Sequence, residues 1–178
     1  MVSESQLQAK RPVSAALAGP YGHPFHPILV TVPIGAWVAS LVFDIASHVV
    51  HDPAFLTRGS EWLIAIGVIG ALLAAVVGFL DLFAIPAGTR AFRTGLVHMM
   101  LNLAVTAAYV VNFVWRYGTY ADGGSVGVGK LVLSAVSLAA LGFSGFLGGK
   151  LAYRYGVRVA DESTQAEGYG PGDAGRAR

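Results

Sequence analysis

WLIAIGVIGALLAAVVGFL, residues 62–80, is a run of 19 residues with no charged or amide side chain. At 1.5 Å per residue it makes about 28 Å of helix, close to the ~30 Å hydrocarbon core of a bilayer. A soluble core does not need an uninterrupted apolar stretch of that length. Trp62 opens the run as an interfacial aromatic, and Ile85-Pro86-Ala87-Gly88 closes the helix beyond Asp81. Three further stretches read the same way, so the spans are placed at 27–49, 62–84, 93–115 and 130–152. The expected fold is an all-α integral membrane protein, a bundle of four transmembrane helices.

Composition agrees. Of 178 residues, 54% are hydrophobic and 12% charged, and the mean hydropathy is +0.60. Globular chains carry about 25% charged residues. The shortfall excludes a disordered chain, a nucleic-acid binder and an ordinary cytosolic enzyme. The net charge of +2 needs no nucleic acid to explain it, because Lys and Arg flank spans on the cytoplasmic side. The chain has no cysteine, which excludes disulfides, thiolate chemistry, cysteine-held iron–sulfur clusters and covalent c-type haem within it. The first 24 residues form a polar segment without the pattern of a cleavable signal peptide. Residues 25–155 form the transmembrane domain, and 156–178 form a polar, glycine-rich tail expected to be disordered.

With four spans both termini share one side. That side receives Lys10, Arg11, Arg90, Arg93, Lys150, Arg154 and Arg158. The other receives Arg58, Arg116 and Lys130, with Trp115-Arg116-Tyr117 reading as an interface anchor set. The imbalance predicts cytoplasmic termini. The Gly118–Gly129 loop, with five glycines, is expected to be mobile. Gly67, Gly70, Ala74 and Gly78 on the second span, and Gly142, Gly145 and Gly149 on the fourth, predict close helix packing.

Ionisable groups inside a bilayer cost ~2.5–3.5 kcal/mol each on insertion scales, so their positions carry information. On a helical wheel, His26, Pro33, Trp37, Ser40, Asp44 and His48 form one stripe of the first span. His98, Asn102, Tyr109, Asn112 and Arg116 form another on the third. Chain direction places His23, His26, Asp81, His98 and Asn102 at one depth near the cytoplasmic face, with Arg90 and Arg93 in the adjacent loop. Asp44, His48 and His51 make a second polar group at the far end, where Asp44 is expected to pair with His48. Asp81 has three simple partners in view: His98, Arg90 or Arg93.

The run Gly22-His23-Pro24-Phe25-His26-Pro27 carries an H-P-x-H-P signature leading into a span. Gly78-Phe79-Leu80-Asp81, Gly88-Thr89 and His98 with Asn102 follow later. This combination resembles an uncharacterised family of bacterial four-helix membrane proteins, domain of unknown function 2231, over about residues 20–155. The resemblance implies a bacterial inner-membrane location and a motif at His23, His26, Asp44, Asp81 and His98. Fusion of some members to Rieske domains hints at electron transfer, for which this chain would need a separate redox partner.

Three functions stay open. One is a b-type haem held by His26 and His98, with Asp81 or Asn102 orienting a ligand and Arg90 or Arg93 on the propionates. A divalent metal on His23, His26, His98 and Asp81 is its variant. The second is a proton or small-solute pathway along the polar seams; no internal repeat is visible, and so small a transporter would require a homo-oligomer. The third is a structural subunit whose polar residues only fix helix register. No nucleophile–base pair, phosphate loop or zinc-protease motif is present, and whether the protein is an enzyme stays open.

Overall fold

A computed structural model describes residues 3–14, 22–117 and 124–169. The elements run α1 (Glu4–Lys10), α2 (His26–Leu29), α3 (Thr31–Ala46), α4 (Ala54–Phe83), α5 (Arg90–Tyr117) and α6 (Val128–Gly149). A π-helical turn, Lys150–Arg154, extends α6, and α7 (Glu162–Glu167) follows. His26–Ala46, Ala54–Phe83, Arg90–Tyr117 and Val128–Arg154 are each long and apolar enough to cross a membrane. Among the described residues the protein is therefore all-helical, with four helices fit to span a membrane, as its sequence predicts.

Local chemistry sets the boundaries. Pro27 sits in the first turn of α2, where a missing N–H costs nothing. Pro33 has no N–H for the carbonyl four residues back, and the helix breaks between α2 and α3 at Val30. The Ser47 hydroxyl donates to the Asp44 carbonyl at 2.7 Å, competing with the backbone ladder, so α3 stops at Ala46 rather than residue 49. The second span starts at Ala54, well before Trp62, because Ser60 and Glu61 turn inward and are buried.

Each spanning helix packs on the next, and α6 closes back on α3. This is an up-and-down bundle in which α3 faces α5 across the centre. Small residues on α4 let α3 approach, as expected: Gly67 lies against the Trp37 indole, and Gly70 against Val32 and Pro33. The expectation for α6 is corrected, because Gly142 and Gly145 have open space around them. Trp37 is 1% exposed and stacks on Tyr109 at 4.1 Å, so it has nowhere to move. Gly67→Ala is expected to cost ~1–3 kcal/mol through overpacking, while Gly142→Ala leaves the unfolding temperature in detergent unchanged.

The terminal segments meet at one end of the bundle, the proximal end. Ala9, Leu82, Ile85 and Val157 form an apolar cluster there. The Arg158 N–H donates to the Ala9 carbonyl at 3.0 Å, and Lys10 reaches Glu162 at 3.3 Å. The expectation of a disordered tail from 156 is thus corrected: residues 156–169 are structured, and 170–178 lie outside the described residues. Asp161 caps α7, and hydrogen bonds from the Ser163 hydroxyl and the Thr164 N–H hold its carboxyl down at about 2. A depressed value means the cap is complete above the ordinary Asp range and is lost as pH falls through about 2. The Thr164 amide resonance should therefore titrate near that pH.

At the opposite, distal end, residues 118–123 of the glycine-rich loop lie outside the described residues. The remainder is held. The Val126 N–H donates to Ser47 Oγ at 3.1 Å, and Thr57 donates to the Gly124 carbonyl at 3.0 Å.

Candidate histidine site

His26 and His98 come from α2 and α5 and meet at the proximal end, ring centroids 6.3 Å apart and planes at 77°. Each ring is fixed by the same device. His26 Nδ1 lies 2.9 Å from the Ala74 carbonyl, and His98 Nδ1 lies 2.8 Å from the Ser144 carbonyl. A carbonyl only accepts, so each Nδ1 carries a proton.

A helix carbonyl is normally shielded by the side chain four residues on. Here those positions are Gly78 and Gly148. A Cβ on Gly78 would lie 2.8 Å from the His26 ring, and one on Gly148 would lie 3.1 Å from the His98 ring. Both imidazoles therefore rest in glycine notches. Ser144 adds its hydroxyl, 3.0 Å from His98 Nδ1. Asn102 Nδ2 donates to the His98 carbonyl at 2.9 Å and lies 3.1 Å from His98 Nε2. Sequence reading missed Ser144 and Gly148. The signal was present as a small residue four before a glycine, at the depth where Ala74 and Gly78 repeat it.

The other expected site residues are distributed differently. Asp81 lies one turn beyond Gly78 and pairs with Arg158 at 3.0 Å, not with His98, Arg90 or Arg93. The strap that carries Arg158 reads as tail from its sequence, which hides this partner. Arg90 and Arg93 are exposed at the start of α5. His23 precedes α2 and is half-buried. Among the described residues no three His, Asp or Glu side chains are placed to hold a metal ion, so the four-ligand set of His23, His26, His98 and Asp81 is not assembled.

The distal polar group is also corrected. His48 is exposed, and Asp44 pairs instead with Arg116. Arg116 is 4% exposed and points inward rather than anchoring the interface. Its guanidinium grips both Asp44 oxygens at 2.8 and 2.6 Å. Its Nε donates to Asn112 at 2.9 Å, and Ser60 and Ser134 receive the remaining contacts. Between this layer and the histidines lies an apolar belt of Trp37, Ile64, Val105 and Tyr109. The polar seam from Asp44 to His98 is therefore interrupted.

No curated protein and no solved structure matches the chain. Residues 22–161 match the family described as predicted membrane protein DUF2231, a span that runs from the H-P-x-H-P segment to the end of the Arg158 strap. The chain thus belongs to the DUF2231 family of predicted membrane proteins.

Proposed function

We propose that this protein is a b-type haem protein of membrane electron transfer, with His26 and His98 as its axial ligands. The observation that carries the reading is the pair of imidazoles with ring centroids 6.3 Å apart, each tied by Nδ1 to a backbone carbonyl of another helix. Fixing one ring nitrogen sets the tautomer and raises the basicity of the other, as second-shell partners of ligating histidines do.

The spacing suits two imidazoles on one metal, and ligand count favours haem over a bare metal ion. Imidazole nitrogens bind transition metals at about 2.0–2.1 Å. Adding about 1.2 Å from each nitrogen to its ring centre, a bis-imidazole centre puts the centroids roughly 6.4 Å apart. The observed value is 6.3 Å. A zinc site takes three or four protein ligands, and the described residues offer no such cluster. A porphyrin brings four equatorial nitrogens of its own, so two protein ligands are enough.

When bound, the group supplies one-electron transfer between ferric and ferrous iron. The protein's part would be to present two imidazoles whose Nδ1 atoms are held on backbone carbonyls. For His98 Nε2 to ligate iron, Asn102 Nδ2 would give up its 3.1 Å contact with that nitrogen and keep its bond to the His98 carbonyl. Arg90 and Arg93 are exposed within reach of the proximal headgroup region and suit the propionates. The apolar belt disfavours a continuous proton route. The Lys and Arg imbalance supports cytoplasmic termini, in the inner membrane of a bacterium, with a separate redox partner on the histidine side.

The test is the absorption spectrum of protein purified from haem-supplemented cells. A Soret band and a sharp reduced α band are expected. A protein that stays colourless at full haem supply overturns the reading.

A further inference from the structure

The sequence shows no internal repeat, yet the contacts recur at a fixed offset. His26, Trp37 and Asp44 on the first hairpin stand 72 residues before His98, Tyr109 and Arg116 on the second. Each touches its counterpart: the two rings at 6.3 Å, the stack at 4.1 Å, the ion pair at 2.6 Å. The returning helices match at an offset of 70. Trp37 Nε1 donates to the Ile64 carbonyl, and the Tyr109 hydroxyl donates to the Ser134 carbonyl. Gly59 admits the Phe43 ring, and Gly129 admits Trp115. His26 uses Ala74 and Gly78 where His98 uses Ser144 and Gly148. Even the backbone agrees: φ is positive at Gly88 (81°) and again at Arg158 (58°). Arg158 is a non-glycine residue in the left-handed region because it stands where the first hairpin has its closing glycine.

We infer that the chain is a fused pair of equivalent helical hairpins related by a pseudo-two-fold axis along the bundle, and that the histidine site takes a ligand lying on that axis with two equivalent faces. This deepens the proposed function and rests on it for the identity of the ligand. Equivalent residues that touch one another must straddle the axis. Both hairpins run the same way, α3 parallel to α5 and α4 parallel to α6, so the axis lies along the membrane normal, as in parallel-repeat membrane proteins.

The chemistry along the axis separates packing from ligation. At the distal pair, true symmetry would set Asp against Asp or Arg against Arg in a buried place, which like charges forbid. Fusion into one chain lets the two positions differ, and they form an ion pair. At the middle pair, Trp and Tyr stack, and any two flat aromatics would serve. At the proximal pair both positions are histidine, each with Nδ1 on a backbone carbonyl and its ring in a glycine notch, and His98 Nε2 also meets Asn102 Nδ2 at 3.1 Å. Packing does not require that identity. A flat metallomacrocycle, whose two faces each need one imidazole, does. A solute with unlike ends has no use for it.

Two measurements test this. The first needs no ligand. Asp44→Arg alone and Arg116→Asp alone place like charges on the axis, and neither variant should yield folded protein. The reciprocal swap Asp44→Arg/Arg116→Asp exchanges equivalent positions and is expected to recover most of the lost unfolding temperature. A swap as unstable as the single variants overturns the equivalence of the hairpins. The second uses haem-loaded protein. His26→Met and His98→Met are expected to shift the Soret maximum and the reduction potential equally and in the same direction. If either variant leaves the spectrum unchanged, the axial ligand is overturned. A colourless wild type beside a rescued swap removes the haem reading and the ligand on the axis together, and leaves the paired hairpins standing.

Discussion

Arg116→Ala is expected to cost about 3–5 kcal/mol and to remove most folded protein from the membrane. The reason is what it leaves behind rather than what it deletes. Asp44 is fully buried, and without the guanidinium its carboxylate has no counter-charge. Breaking one side of a buried ion pair carries that penalty, because the survivor is an uncompensated charge in low dielectric. Asn112 and Ser134 would lose a shared donor as well. Asp44→Ala should be comparably harmful, since it strands the guanidinium. An apolar pair of similar volume, Asp44→Leu/Arg116→Met, removes both charges together and is expected to recover much of the loss. Denaturant titration in detergent, followed by tryptophan fluorescence, measures all three. If Arg116→Ala unfolds like the wild type, the network is a wet surface feature and not a buried lock.

The lock also explains how much of this molecule can be read from its chain. Span existence was legible because apolar runs obey one strong rule, that a bilayer accepts few charges. The inward faces of α3 and α5 were legible because polar residues recur at helical period, and Ser40, Asp44, Tyr109, Asn112 and Arg116 are indeed buried. Pairing between helices was not legible. Asp44 has His48 one turn away on its own helix, and periodicity favours that neighbour over an arginine 72 positions distant. Arg116, flanked by Trp115 and Tyr117, carries the local signature of an interfacial anchor. Only the orientation of α5 against α3 turns it inward.

The same limit hid the partner of Asp81. Polar, glycine-rich sequence after residue 155 has little to bury, so it reads as tail. The structure gives it one buried anchor, Val157, and one charge, Arg158, set by a backbone turn that composition does not reveal. The repeat was masked for a related reason. Apart from the histidines and the notch glycines, the equivalent positions are occupied by residues of different types, and the two offsets differ because the loops between helices differ in length. What recurs is geometry: a ring against a glycine, a donor to a carbonyl.

His26→Gly and His98→Gly are each expected to abolish the Soret band, and added imidazole is expected to restore it. A purely structural role for these residues also predicts damage, since each ring bridges two helices through a backbone carbonyl. Losing that bond leaves a carbonyl that already accepts within its own helix, a loss of ~0.5–1.5 kcal/mol, and His98→Gly also gives up the Ser144 hydroxyl and Asn102 contacts. The half-buried location softens it further. The variants should therefore remain folded, with an unfolding temperature only slightly lowered. Colour and fold are thus expected to separate. The glycine leaves a cavity of the ring's shape beside an intact notch, and small ligands enter such cavities. Imidazole placed there carries no tether, so it rescues the chromophore only if the missing ring was a ligand. Restored stability without restored absorbance would mark His26 and His98 as helix staples. Recovery of the Soret band in both variants would mark them as the two axial positions of one centre.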